Sequence, residues 1–220
     1  MKYFIYILVL ICTLSLINKT YAQDEKYKTA MKNNILLIDS AKTIQDLQTL
    51  ANNFERIGNA EKNKWLPFYY AGYIYILINL YENDNDTKDM YLDKADIFIN
   101  TADSLEPKNS EILSLKAFVA EMRISIAPMT RWMKFGTIFN NYIDEAIIAD
   151  TTNPRPEFLK GQMIYYTPTQ FGGGFENAKP ILEEALRKYN NFKPIDEIHP
   201  SWGRAQLEEI LLNSEQTKTN

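Results

Sequence analysis

The residue type most able to do chemistry is histidine, and His199 is the single histidine of the chain. A histidine acts as a general base when an acid orients its ring and a nucleophile lies beside it. Asp196 and Ser201 are the nearby candidates, but their spacing does not establish that the three side chains meet. A His-Pro pair just before the last predicted helix more often begins a capping turn. We therefore predict that His199 is not catalytic.

Other catalytic equipment is scarce. Glu183-Glu184 and Glu208-Glu209 are neighbours on predicted helices and point about 100° apart, so neither pair can share a proton. The single cysteine, Cys12, lies in an apolar leader. Thiolate catalysis, cysteine-bound zinc and a cluster of histidine ligands are thereby excluded. The chain is predicted not to be an enzyme and to require no metal and no cofactor.

A glycine run between two phenylalanines is the most unusual string, Phe171-Gly172-Gly173-Gly174-Phe175. Glycines that open a helix can present N–H groups to an anion, because the helix N-terminus carries a partial positive charge. The run lacks the Lys-Ser/Thr of a phosphate loop and follows a predicted helix rather than a strand. We favour a tight turn that needs positive φ, with both phenylalanines packed beneath it. An oxyanion or carboxylate site is the alternative.

The first 22 residues have the three parts of a cleavable signal peptide. Lys2 gives a positive start, an apolar run covers residues 4–17, and Ala22 precedes the predicted cut. That run is shorter than the ~20 residues that a membrane-spanning helix needs. We predict a periplasmic or secreted protein that begins at Gln23 and is not inserted in the membrane, with an uncleaved N-terminal anchor as the alternative.

Composition limits the class of protein further. Without residues 1–22 the chain has no cysteine and a net charge of −6. An exported protein without disulfides must be held together by its hydrophobic core, and residues 23–220 are enough for a single domain. The acidic balance argues against a nucleic-acid-binding face and against a polybasic attachment to anionic lipid.

Apolar residues recur at three- and four-residue spacing, which predicts amphipathic helices throughout the chain. In the clearest example, Thr43 and Asp46 form a capping box, an apolar stripe follows, and Gly58 ends the helix. No segment alternates with the period of two that is typical of a strand. The chain is predicted to be all-α with about nine helices, at 27–38, 43–58, 65–81, 88–105, 110–127, 130–149, 155–166, 176–189 and 201–213.

Three of the predicted helices share one spacing, with offsets of 0, 4, 7 and 12 residues. Small residues seven apart lie on one helical face and allow a neighbouring helix to approach, and the final Pro or Asn ends the helix. The three sets are Ala95, Ile99, Ala102 and Pro107; Tyr142, Ala146, Ala149 and Pro154; and Ala178, Leu182, Ala185 and Asn190.

This spacing resembles the second-helix half of a tetratricopeptide repeat (TPR). The resemblance covers residues 61–190 and implies an antiparallel helical-hairpin array that stacks into a superhelix. It divides the chain into units at 61–107, 108–154 and 155–190, with a capping helix at 200–213. The spacing departs from the family period of about 34 residues, because Ala102 and Ala149 are 47 residues apart.

The C-terminal third carries a second set of motifs. They are similar to those of exported, uncharacterised repeat proteins of Gram-negative bacteria, with a fainter similarity to the helical periplasmic T-component proteins that accompany certain solute transporters. Neither resemblance supplies a catalytic residue. The motifs are the turn Asn153-Pro154-Arg155, Lys160-Gly161-Gln162, Tyr165-Tyr166-Thr167-Pro168, the glycine run, and His199-Pro200-Ser201-Trp202-Gly203.

Aromatic residues crowd the helix predicted at 65–81. In the repeat family the first helices of the hairpins form a concave surface, so the resemblance implies an aromatic groove there, and large aromatic side chains suit recognition. Packing between helices is the alternative, and we assign Tyr69 and Tyr73 to the core. The candidate binding residues are Trp65, Phe68, Tyr75, Glu111, Ser114, Glu121, Tyr165, Gly172, Gly173 and Gly174.

We predict from these features a non-catalytic scaffold that binds a protein segment or a small ligand in its concave groove. The alternative is a ligand-binding accessory protein to a solute transport system. In that case the groove closes into a pocket around Trp65, Tyr75, Tyr165 and the Gly172–Gly174 turn. An open concave surface favours the scaffold, and a deep cavity favours the accessory protein. The sequence identifies neither the partner nor the oligomeric state.

Overall fold

The computed structural model describes residues 23–218, with side chains described as far as Asn213. The predicted signal peptide, residues 1–22, lies outside the described residues. A first helix, α1, covers residues 23–35. The helices that follow are α2 (Ile44–Glu61), α3 (Leu66–Tyr81), α4 (Asn85–Leu105), α5 (Ser110–Ile126), α6 (Pro128–Ala149), α7 (Arg155–Tyr166), α8 (Phe175–Asn191) and α9 (Arg204–Lys218), with a 3-10 turn at Thr169–Phe171 between α7 and α8. Between residues 23 and 218 there are nine helices and no strand, so the all-α prediction is confirmed. None of these helices is both long and apolar enough to cross a membrane.

Helix starts follow the capping residues in the sequence. The predicted capping box of α2 is present, with the Thr43 hydroxyl accepting from the Asp46 amide and the Asp46 carboxylate accepting from the Thr43 amide. The predicted start of α4 at residue 88 is wrong. Asp84 caps the Thr87 amide, so the helix begins at Asn85 and includes part of the polar stretch.

Gly58 was predicted to end α2, but it lies inside the helix. The helix continues to Glu61, and Gly58 is buried against the ring of Phe68. A Cβ at residue 58 would lie 2.8 Å from that ring. The glycine therefore serves close packing between α2 and α3 rather than termination.

Each helix packs against the next one along the chain, and α3 also contacts α5, while α5 contacts α7. We call α3 and α5 the inner helices. Helix α3 is apolar nearly all round, and its buried residues include four tyrosines and three isoleucines. Because a helix that is apolar on every side must be covered on every side, α3 and α5 need further partners besides their sequence neighbours.

The repeat pattern is correct in two helices and displaced in the third. In α4 and α8 the predicted stripes are buried, ending in Ala102 and Ala185. In α6 the predicted stripe is wrong, because Tyr142 is half-buried and Ala149 is exposed. The buried stripe of α6 keeps the same offsets but lies three residues earlier, at Phe139, Ile143 and Ala146.

The segment between α8 and α9, residues 192–203, covers the inner face of α3 and α5. The Trp202 ring stacks on Tyr73 at 5.1 Å and on Phe118 at 5.8 Å between ring centroids. Its indole N–H donates to the Tyr69 hydroxyl at 2.8 Å, and the Tyr70 hydroxyl donates to the Ile198 carbonyl at 3.1 Å. The chain's own C-terminal segment thus occupies the face that the TPR resemblance left open.

Candidate functional site

A cleft of about 730 Å³ opens beside this segment. Its walls come from places far apart in sequence: the turn before α5 (108–111), the end of α6 and the turn after it (149–152), the end of α8, and residues 192–200. Trp65 lies at the start of α3 and completes the wall. The volume falls within the range of about 300–1,000 Å³ that is usual for small-molecule sites.

His199 and Trp65 form the aromatic part of the cleft. Their ring centroids are 6.0 Å apart in an edge-to-face arrangement. His199 Nδ1 lies 2.5 Å from the Asp196 carboxylate. Partial burial tends to raise the pKa of Asp196, but the hydrogen bonds from His199 and from the Ile198 and His199 amides outweigh it and lower this pKa below its usual value.

The lowered pKa of Asp196 favours the ionised carboxylate, which contacts Nδ1 of His199. An ionised carboxylate only accepts hydrogen bonds, so Nδ1 of His199 must carry the proton that it donates. The other ring nitrogen of His199, Nε2, has no hydrogen-bond partner among the described residues. Ser201, the candidate nucleophile, makes no hydrogen bond to His199 in the described part of the chain. Asp196 and His199 therefore form a positioned imidazole without the third member of a catalytic triad.

A buried ion pair lies beneath the cleft. Arg155 is fully buried, and its Nη1 donates to Glu111 at 2.7 Å. The guanidinium also lies 5.2 Å from the Trp202 ring and 5.0 Å from the Phe192 ring. Burial raises the pKa of the Glu111 carboxyl, and Arg155 opposes that shift. The pair fixes the base of α5 and α7 to the two aromatic rings of the 192–203 segment.

Of the predicted groove residues, Trp65 and Glu111 line this cleft. Phe68 packs on Gly58, and Tyr75 stacks on Phe98 at 5.7 Å while its hydroxyl accepts from Gln48. Ser114 and Glu121 are buried within the helix packing. These four do not line the cleft, because α3 and α5 are covered by their neighbours and by residues 192–203.

The glycine turn uses its amides internally. Gly172, Gly173 and Gly174 donate to the carbonyls of Thr169, Pro168 and Ile164 respectively, so no N–H of the run is free for an anion. Gly172 has a φ of 83° and Gly174 a φ of 89°, as expected for a tight turn. The packing predicted for the phenylalanines is wrong for Phe171, whose side chain is 65% exposed.

A second, smaller groove of about 200 Å³ lies between α6, α7 and this turn. Its lining includes Trp132, Phe139 and Met163, with Phe171 and Gly172 at the edge. Large exposed apolar side chains lie on the same two helices: Met129 and Met133 on α6, and Tyr166 at the end of α7. Tyr165 packs beside the groove, edge-to-face against Tyr166 and Phe175.

The pocket expected for the accessory-protein alternative is therefore not formed as predicted. Trp65 lies in the cleft, Gly172 in the second groove, and Tyr75 in the packing of α3 against α4.

Sequence reasoning missed several residues of the cleft, among them Lys108, Phe192 and Lys193. They lie in connections between helices, where periodicity gives no information. The string Phe192-Lys193-Pro194 could have indicated the site, because the proline prevents a helix there and leaves an aromatic and a cationic residue in a connection. Arg155 was noted within a turn motif without a role, because a first-turn arginine is normally exposed.

No protein-family model matches the chain, and no curated protein matches it. Among solved structures, the HusA haemophore from Porphyromonas gingivalis matches with a TM-score of 0.76 and 30% sequence identity. The match covers 84% of this chain and 91% of that chain. Like this chain, that neighbour is all-helical.

Proposed function

Because the chain belongs to the same all-helical family as the HusA haemophore, we propose that it is an exported, non-catalytic binding protein that takes haem or a related porphyrin. The observation that carries the proposal is the 730 Å³ cleft, which combines an aromatic wall with a positioned imidazole. This function corresponds to the accessory-protein alternative rather than to the protein-binding scaffold.

The apolar surface of the cleft suits a flat aromatic ligand. Trp65, Phe192, Pro194 and Pro200 contribute to the lining, and tryptophan gives a large contact area against a ring system. A porphyrin that lies against Trp65 would exclude water from both rings.

His199 gives the cleft a group that distinguishes haem from an iron-free porphyrin. Imidazoles that bind a metal usually donate the N–H of their other ring nitrogen to a carboxylate, a backbone carbonyl or water, and His199 Nδ1 lies against the Asp196 carboxylate in this way. Nε2 is then the atom available to the iron of the cargo. Whether the iron is contacted is decided by comparing haem with the metal-free ring.

The test is a titration of residues 23–220 with haem and with iron-free protoporphyrin, in which the change in Soret absorbance reports binding. We expect Trp65→Ala to weaken both ligands about tenfold, equivalent to 1.4 kcal/mol, because it removes the aromatic wall. His199→Ala weakens haem alone if the iron is contacted.

Trp132→Ala, in the second groove, is the matched control and should leave both affinities unchanged. Weakening by Trp132→Ala without weakening by Trp65→Ala would place the ligand in the second groove. Absence of binding to either porphyrin would contradict the proposed function.

Binding of a protein segment is a second candidate, favoured by the apolar surroundings of the second groove. Met129 and Met133 are each 87% exposed, and contiguous exposed apolar surface often marks an interaction site. We expect a pull-down from an envelope fraction to lose a specific protein when Trp132 and Met133 are both changed to Ala. An unchanged set of captured proteins would remove this candidate.

A further inference from the structure

The cleft carries positive charge in a chain whose net charge is −4. Four cations line it: Lys108, Arg187, Lys188 and Lys193. Arg187 pairs with Glu184 at 2.6 Å, and Lys188 pairs with Glu157. Lys108 and Lys193 are exposed, and neither forms an ion pair or hydrogen bond within the described part of the chain.

Neither lysine forms an ion pair with the acidic residues of the cleft. Glu111 is paired with Arg155 at 2.7 Å. Asp150 accepts from the Thr152 amide at 2.8 Å and from the Thr152 hydroxyl at 2.7 Å. Within the described part of the chain, no carboxylate pairs with either ammonium group, while Asp150 keeps its negative charge and stays hydrogen-bonded to Thr152.

The backbone beside Lys108 adds to the positive potential. Lys108 lies two residues before the first residue of α5, a helix of 17 residues whose N-terminal end lines the cleft and carries partial positive charge. Lys108 has a φ of 60°, in the left-handed region that side-chain-bearing residues rarely adopt. This conformation of the turn, together with the Asn109 cap, sets the direction in which the Lys108 side chain starts from its Cα.

The apolar part of the cleft lies on residues next to these lysines. Phe192 adjoins Lys193 in sequence, and one face of the Phe192 ring is covered by the Arg155 guanidinium at 5.0 Å. Trp65 and His199 lie on the wall contributed by α3 and the 192–203 segment. An aromatic body in the cleft and carboxylates at its mouth would satisfy both kinds of surface.

We propose that the cleft selects a flat ligand that carries two free carboxylates, which Lys108 and Lys193 bind at the mouth while the ring lies against Trp65 and Phe192. The inference rests on the proposed function and specifies the ligand class of the same site. A porphyrin with two ionised propionates meets this requirement, and its diester does not.

The experiment compares iron-free protoporphyrin IX with its dimethyl ester, which has the same ring and no charge. Both are titrated into residues 23–220 in one buffer with a fixed fraction of organic cosolvent. We expect the diacid to bind about tenfold more tightly than the diester. Raising the ionic strength should weaken the diacid only, because exposed ion pairs are screened by salt.

The variant Lys108→Gln with Lys193→Gln should reduce diacid affinity to that of the diester and leave diester affinity unchanged. The matched control replaces two exposed lysines away from the cleft, Lys26→Gln with Lys62→Gln, and should retain the tenfold preference. Circular dichroism checks that each variant keeps its helices.

The outcomes separate this inference from the function on which it rests. Equal affinity for diacid and diester, unchanged in the Lys108 and Lys193 variant, would overturn the carboxylate selection while porphyrin binding stands. Failure of both compounds to bind the wild-type chain would overturn the proposed function as well. A preference that disappears equally in the Lys26 and Lys62 control would also count against the two cleft lysines.

Discussion

At the scale of single residues, Glu121 is the clearest departure from what the sequence predicted. It was expected to face a groove, yet its side chain is 6% exposed and its Oε2 has no hydrogen-bond partner. Burial raises the pKa of Glu121 to about 8, because the charged form is unfavourable away from water. The protonated, neutral form of this carboxyl therefore predominates in the folded protein at pH 7.

We predict that Glu121→Gln stabilises the protein in a pH-dependent way. The pKa of this carboxyl is about 8 in the folded chain and about 4.3 in an unfolded one. The wild-type protein therefore loses stability as pH rises from about 4 to 8 and no further above that. The advantage of Gln should grow over this window to the order of 5 kcal/mol, since one pKa unit corresponds to about 1.4 kcal/mol.

Urea denaturation at pH 5, 7 and 9 measures this difference in the free energy of unfolding. Glu209→Gln, at an exposed position, controls for the loss of a surface charge. An advantage of Gln over Glu121 that is the same at all three pH values would contradict the prediction.

At the scale of elements, local periodicity predicted the helices well and their register less well. Helix existence and caps depend on residues within one or two turns, such as Thr43 and Asp46, so they are readable from sequence. The stripe of α6 was misplaced by three residues because Tyr142 and Ala149 fit the spacing as well as Phe139 and Ala146, which are the buried residues. The role of Gly58 was missed for a similar reason, since the ring that packs on it comes from another helix.

The 192–203 segment is the element on which the site depends, and Trp202 anchors it. We predict that Trp202→Ala lowers the free energy of unfolding by about 3–5 kcal/mol, because it removes two stacked rings and a hydrogen bond. Trp202→Phe keeps a ring and should cost about 1 kcal/mol for the lost hydrogen bond.

Trp132→Ala is the control for both Trp202 variants, since that side chain is 47% exposed and should change stability by less. Urea denaturation followed by circular dichroism provides the measurement. A loss in Trp202→Ala no larger than that in Trp132→Ala would show that the segment does not hold the inner helices.

At the scale of the whole molecule, the fold class was predictable and the site only in part. Trp65 and Glu111 were among the predicted binding residues, because the TPR resemblance places both on the concave side of the first helices. Lys108 and Lys193 were not, because the cleft joins four regions whose proximity depends on tertiary packing. The open groove implied by the TPR resemblance requires that nothing in the chain covers α3 and α5.

Contacts over long sequence separations distinguish this chain from a simple repeat array, in which each unit contacts only its neighbours. The Lys32 ammonium lies 2.5 Å from the Glu197 carboxylate. The hydroxyls of Tyr69 and Tyr70 are hydrogen-bonded to the 192–203 segment. The C-terminal end thus closes back on the first helices, so stability is shared across the chain.

Closure by the last part of the chain has a consequence for biosynthesis. A polypeptide is made from its N-terminus, so Tyr73 and Phe118 have no cover until Trp202 has been added. During that interval the nascent chain exposes these two aromatic rings to solvent, and exposed apolar surface of this kind promotes aggregation or is bound by chaperones. A chain that stops before residue 192 would not be a shorter version of the same protein, because its inner helices would lack the covering segment.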